Sequence, residues 1–234
     1  MMETPSWYYD EFKQIGTDYA LIDEVRRYDE RMHSLRDIPK ETADTIGRLG
    51  ISSESTLVEF GCGTGELSIT AAALCRKVHA VDISQVMIDY AKSKAESRGV
   101  GNVEFHRAGF LTYEHADEPA DIVATQLALH HLPDFWKVVA LGRINDMLKP
   151  GGRFFLRDVV FSFDMKDYRQ ALDTWVKTLK ECCGSVNCRN HIRDEYSTTS
   201  WLMEEIIRHT GFEIISAEYT GGMFAAYLCE KKCV

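Results

Sequence analysis

Val58-Glu59-Phe60-Gly61-Cys62-Gly63-Thr64-Gly65 is a short apolar run ending in a Gly-x-Gly-x-Gly turn, and Val78-His79-Ala80-Val81-Asp82 follows it as a second apolar run closed by an acid. Glycines at the end of a strand let the backbone pass close to a ligand, because no Cβ intervenes and positive φ is cheap. An acid at the tip of the next strand, roughly 20 residues on, is placed to accept hydrogen bonds from both hydroxyls of a ribose. The two runs together predict a nucleoside pocket. A dinucleotide fingerprint reads Gly-x-Gly-x-x-Gly, with a helix N-terminus facing a pyrophosphate. Here the third glycine comes one residue early and Glu66 follows it. A carboxylate at that place repels a pyrophosphate, so a nucleoside without phosphates fits better.

Outward from this turn the chain alternates. Strand-like runs at 56–60, 77–82, 103–106, 121–125 and 153–159 are separated by helical patterns at 65–75, 84–98 and 135–148. Alternation of this kind implies right-handed crossovers and a parallel sheet. Ser84 is placed to cap the helix holding Met87, with Gly99 past its end. Lys149-Pro150-Gly151-Gly152 reads as a turn. Upstream, residues 17–35 carry an amphipathic pattern, and a helix starting near Pro39 stops at Gly50. Downstream, the alternation lapses into a helix holding Trp175 and a polar, cysteine-containing stretch to about 197, read as an insertion over the pocket. A helix at 199–210 and two strand-like runs around Gly221-Gly222 close the chain as a hairpin.

Composition narrows the partners. The 234 residues, 45% apolar and 11% aromatic, can bury a sizeable core. A formal charge of −9 with scattered Lys and Arg argues against a nucleic-acid partner. No run approaches the ~20 apolar residues of a membrane span, and Met1-Met2-Glu3-Thr4-Pro5 is unlike a signal peptide, so a cytoplasmic protein with no membrane insertion is expected. The seven cysteines (62, 75, 182, 183, 188, 229 and 233) are expected to be reduced. Their spacings do not match a zinc site, and no metal is expected. Oligomeric state is not legible.

Four segments together resemble the class I S-adenosylmethionine-dependent methyltransferases: Glu59 to Gly65, Asp82-Ile83-Ser84 with Met87, Leu129-His130-His131-Leu132-Pro133-Asp134, and Leu148-Lys149-Pro150-Gly151-Gly152. The resemblance covers roughly residues 40 to 160 well and the terminal hairpin loosely. It implies an α/β, Rossmann-like doubly wound sheet of seven strands, mostly parallel with an antiparallel terminal hairpin and helices on both faces. Residues 1–40 would form an N-terminal helical lid, and 41–234 the catalytic domain with a helical insertion at about 161–198.

The resemblance also implies a cofactor, S-adenosyl-L-methionine, with S-adenosyl-L-homocysteine as product. Gly61, Gly63 and Gly65 would line its methionine and ribose parts, Asp82 would hold the ribose hydroxyls, and Ile83 and Met87 would flank adenine. Glu59, Cys62 and Gln126 complete the expected cofactor contacts. Met87 is also well suited to filling core. Where the family places a strand-end Asp on the adenine amino group, this chain has Ala108-Gly109-Phe110-Leu111. Gly109 and Phe110 are expected to hold adenine by backbone amides and ring packing, and Gly109→Asp to leave affinity equal or improved. Tyr8-Tyr9-Asp10-Glu11-Phe12, with Tyr19, resembles an aromatic lid whose tyrosine hydroxyl reaches the methionyl carboxylate; the alternative is an aromatic face packing on the core.

Methyl transfer from a sulfonium is an in-line displacement, driven largely by holding the acceptor near-attack in a dry pocket. A phenol or carbon acid also needs deprotonation, for which His130 and His131 are the candidate bases, with Asp158 and His191 as lesser options. No Asn/Asp-Pro-Pro-Tyr segment is present, which argues against base or glutamine methylation and for a small-molecule acceptor. A non-catalytic cofactor-binding module and an NAD(P)-dependent oxidoreductase are the competing readings.

Overall fold

Even- and odd-numbered residues of the central strands are both apolar, and this decides the layering. Such strands are buried on both faces, as a parallel sheet between helices requires. In the computed structural model, which describes residues 5–13, 25, 29, 32, 36–183 and 192–233, the strands are β1 (Thr56–Phe60), β2 (Lys77–Asp82), β3 (Val103–Arg107), β4 (Ala120–Gln126), β5 (Leu148–Phe161), β6 (Thr198–Thr199), β7 (Phe212–Thr220) and β8 (Phe224–Lys231). Their order is β3-β2-β1-β4-β5-β8-β7, with the two-residue β6 pairing β5 off this path. All neighbouring pairs are parallel except β8, which runs against both β5 and β7.

On one face Val58, Phe60, Val123, Phe154 and Leu156 pack with Leu141 and Ile144 of α4 (Asp134–Met147) and with Ile206 and Ile207 of α6 (Ser200–His209). On the other, Leu57, Ile122, Ala124 and Phe155 pack with Leu49 of α1 (Ile38–Leu49) and Leu67 and Ala71 of α2 (Glu66–Ala72). The helix α3 (Gln85–Ser97) is capped by Ser84, whose hydroxyl accepts the Met87 amide, and Gly99 follows its end at φ 68°. Asp37 caps α1 in the same way, with Pro39 in the first turn and Gly50 left-handed at the end.

Two features differ from the sequence reading. Lys149-Pro150-Gly151-Gly152 is not a turn between elements but lies within β5, where the pairing with β4 jumps from Ala120–Leu148 to Ile122–Arg153. Pro150 has no N–H to donate and Gly151 sits at φ 72°, so the ladder breaks there while both flanks stay paired. Secondly, β6 adds a short parallel pair to Val160 and Phe161, bringing the end of the insertion back to the sheet. The helix α1 begins at Ile38, beside the Pro39 where the sequence reading placed its start. Val25, Asp29 and Met32 are helical, whereas Tyr19, Cys188 and His191 lie outside the described residues. The helix α5 (Tyr168–Cys183) sets Ala171, Leu172 and Trp175 against Phe161, Phe163 and Phe224. Among the described residues, no helix is long and apolar enough to cross a membrane.

The glycine turn is held close to the turn after β4. Gly61 has φ 67°, and a Cβ there would lie 2.4 Å from the Ala128 methyl, whereas Gly63, at φ 52°, has open space around the same position. Gly63→Ala is therefore expected to cost only the backbone term, about 1–2 kcal/mol, and Gly61→Ala a further ~1–3 kcal/mol of overpacking. Urea denaturation of the two variants checks this; equal losses would mean the two turns are not in contact.

Candidate active site

The cleft opens at the carboxyl ends of β1, β2 and β4, where a doubly wound sheet changes direction. Its lining includes Gly61, Gly63, Asp82, Ile83, Met87, Gly109, Phe110, Gln126 and His131. Asp82 is anchored from both sides: Gly63 N donates to its Oδ2 at 2.9 Å and Ser84 N to its Oδ1 at 2.8 Å. Burial raises its pKa, against the pull of these amides and that of Ile83. A carboxylate so fixed keeps lone pairs for a diol. Phe110 stacks on Phe60 at 5.0 Å between ring centroids, and both line the cleft, giving a flat apolar floor. Met87 is buried yet also lines the cleft, so it fills core and faces the ligand space at once.

Gly65 is not among the lining residues. Its φ of 78° starts α2, and a Cβ would meet Ala91 at 3.0 Å and Ile69 at 3.2 Å, so it permits the helix to pack rather than facing the cleft. Cys62 contributes main chain, its N donating to Val81 O, while its side chain packs with Ala80 and Ile88 and burial pushes the thiol pKa up.

A neighbouring part of the cleft shares Gly61, Gly63, Gln126 and Leu127 and extends to Glu59, Thr64, Arg36 and Asp29. Asp29 closes it from the N-terminal segment, accepting from Thr64 Oγ1 at 2.6 Å and pairing with Lys94 at 2.9 Å. Lys94 and Arg98 also hold Glu66, at 2.9 and 3.2 Å. Glu59 is buried and accepts from the Ser68 hydroxyl; burial lifts its pKa from the ordinary 4.5 to about 8 against that hydrogen bond.

The N-terminal residues reach the cleft differently from the lid expected. Tyr8 and Tyr9 pack on Trp136, at 4.8 and 6.1 Å between ring centroids, and the Tyr9 hydroxyl donates to the His131 carbonyl at 3.2 Å. Neither lines the cleft; Glu11 and Lys13 do. Glu11 accepts from Leu111 N at 3.0 Å and from Thr112 Oγ1 at 2.7 Å. Its carboxyl carbon sits 2.4 Å from where a Cβ on Gly109 would be. A carboxylate thus stands where the family acid is missing, delivered from the N-terminal segment. A side chain at Gly109 would meet the Glu11 carboxylate, so Gly109→Asp would either displace Glu11 or set a second acid beside it. Glu11 escaped the sequence reading because Glu11 and Leu111 are 100 positions apart; the glycine in place of an acid was the one local sign.

The rings of the two histidines after β4 lie 4.3 Å apart, but only one of them lines the cleft. His130 is buried, its Nδ1 2.5 Å from Asp158 Oδ1 and its Nε2 3.4 Å from Glu195, and its backbone N donates to Asp158 Oδ2 at 2.8 Å. Burial acts to raise the Asp158 pKa, but His130 and the Val159 amide outweigh it and hold the carboxyl low. His131 instead lines the cleft beside Leu127 and Ala128. Leu127 has φ 53°, a conformation costly for a branched side chain, and it touches both the cleft and the apolar group of Phe161, Phe163, Trp175 and Phe224 beneath α5.

A family model described as a methyltransferase domain matches residues 57–152. An uncharacterized methyltransferase of Bacillus cereus is 30% identical over 162 residues, 69% of this chain and 71% of that protein. A demethylmenaquinone methyltransferase of Lactococcus lactis is 25% identical, with 94% of this chain and 88% of that protein covered. In fold, the crystal structure of a SAM dependent methyltransferase from Aquifex aeolicus matches with a TM-score of 0.64 at 15% identity, covering 90% of this chain and 98% of that one. The chain belongs to the class I S-adenosylmethionine-dependent methyltransferase family. Its cofactor is S-adenosylmethionine.

Glu59 sets a pH dependence. Between its ordinary 4.5 and about 8 it holds a proton in the folded chain and none in the unfolded one, so its contribution to stability falls as pH rises through that window. Glu59→Gln is therefore expected to raise the cofactor-free protein's Tm relative to wild type, and more so at pH 8 than at pH 5. A difference that does not grow with pH would show that Glu59 is ionised in the fold.

Proposed function

We propose that the chain methylates a small, apolar, ring-bearing acceptor through an acidic O–H or C–H, with His131 taking the proton. The carrying observation is that His131 faces the cleft while His130 is enclosed between Asp158 and Glu195. On this reading His130 holds the turn that aims His131. The aromatic group beneath α5, joined to the cleft through Leu127, offers the acceptor a dry stacking surface. The likeness to a demethylmenaquinone methyltransferase, whose name implies a quinone-derived acceptor, supports this acceptor class.

When bound, the cofactor supplies an electrophilic methyl on a sulfonium. The residues present suit such a ligand: Asp82 would take the ribose hydroxyls, Glu59 the methionyl ammonium, and Glu11 the adenine amino group, with the Phe110 ring beside the base. Gly61, Gly63 and Gln126 complete the wall. Residues 5–13 and the helical Asp29 act as the lid, and residues 161–180 with 192–198 as the acceptor cover. Two further acids, a Glu59 that would give up its proton on meeting the ammonium, and a bare glycine turn suit a cation without phosphates.

Two measurements test this. In calorimetric titration, Glu11→Ala is expected to weaken S-adenosylmethionine about 10- to 100-fold, as loss of a charged hydrogen bond does. Gly109→Asp alone should also weaken it, and the double variant should recover most of the loss; a double variant no better than either single would remove Glu11 from the adenine site. Second, in a labelled-methyl assay over phenols, quinols and thiols, His131→Ala should lower kcat on the best acceptor about 10²- to 10⁴-fold and abolish the acidic limb of the pH profile, with cofactor affinity unchanged. An unaltered pH profile in that variant would reject His131 as the base.

A further inference from the structure

At the far edge of the sheet lies a second cluster of histidines that the methyl-transfer site does not use. His79 on β2 and Glu104 on β3 are register partners, and His106 lies two residues along β3 on the same face. His79 Nδ1 is 3.1 Å from His106 Nε2 and 3.6 Å from Glu104 Oε2, and the last two atoms are 4.0 Å apart. A triangle with these edges has its centre about 2.1 Å from each corner, the bond length of zinc to imidazole nitrogen and carboxylate oxygen. His79 is buried, and its other nitrogen, Nε2, faces Asp117 Oδ2 at 3.2 Å. That nitrogen makes no hydrogen bond among the described residues, whereas Nδ1 shares one with His106 Nε2, whose proton an ion would replace; Asp117 stands near enough to serve as the outer partner that metal-bound histidines use.

We propose that His79 Nδ1, His106 Nε2 and Glu104 Oε2 form a divalent-cation site of the zinc type, with Asp117 as its outer partner. The present competitor is Lys77, whose ammonium lies 2.8 Å from Glu104 Oε1 and 2.6 Å from Asp117 Oδ2. Those contacts leave Glu104 Oε2 facing the histidines. His115 belongs to the surroundings and not to the ligand set, since its nitrogens face the Tyr113 hydroxyl at 3.1 Å and the Glu118 carbonyl at 3.0 Å.

The site's consequence is mechanical. It would clamp edge strand β3 to β2 and, through Asp117, fasten the segment that runs back to β4. Tyr113 of that segment packs edge-on against His106 at 5.2 Å and against Phe60 at 5.6 Å, and Phe60 stacks on Phe110 in the floor of the cleft. Sequence reading looked for metal among the cysteines, whereas these ligands meet only across two strands.

The test is titration of the chelator-stripped full chain with Co(II), followed by displacement with Zn(II). One equivalent of Co(II) is expected to develop the visible d–d bands of a low-coordinate complex without thiolate charge-transfer absorption. The bands should be lost in His106→Gln and in Glu104→Gln, both on the solvent-facing edge strand and checked for folding by circular dichroism. Asp117→Asn should weaken binding about 10- to 100-fold, and Lys77→Met should tighten it. No bands in wild type, or bands that persist in folded His106→Gln and Glu104→Gln, would overturn the site; persistence would place the ion elsewhere, as at the grouped His130, His131 and Glu195.

Discussion

Asp82 is the pin on which the cleft turns. Its two oxygens take one amide from the glycine turn after β1 and one from the cap of α3, so a single carboxylate sets the distance between two crossovers. Such a bond to a charged acceptor is worth about 1.5–3 kcal/mol. Its geometric effect is larger than its energy. The glycine turn it holds lies against Ala128, with no room at Gly61 for even one carbon, and the turn after β4 in turn aims the histidine pair. Three loops from three strands are thereby fixed relative to one another by contacts that leave little tolerance.

Local features were legible in the sequence. The glycine turn, the acid closing β2, the Ser84 cap and the layered strands each follow from a few consecutive residues, because their causes are local: sterics at a glycine, a hydroxyl near an orphan amide, an unbroken apolar run. The terminal hairpin was readable for the same reason. By contrast, the bulge inside β5 reads as a turn, because proline and glycine produce both and only the partner strand distinguishes them. The placement of Glu11, Asp158 and Glu195 depended on contacts across the fold, to which no spacing rule reaches.

The histidine pair shows how little a motif alone decides. His130 and His131 are adjacent and equally plausible as bases from the sequence. Folding gives one of them a carboxylate on each ring nitrogen and the other a face on the cleft. On the proposed reading, enclosure and not residue type selects the base.

The exchange of partners at Gly109 has a kinetic side. An acid built into a strand end is present whenever the domain is folded. An acid carried by residues 5–13 is present only while that stretch is docked, and its docking rests on a handful of polar contacts to the segment after β3, with Tyr8 and Tyr9 on Trp136. If Glu11 holds the base as proposed, the pocket's apparent affinity is scaled by the docked fraction. On that reading cofactor residence is tied to the opening of the N-terminus, and departure of the spent cofactor and release of this stretch become one event instead of two.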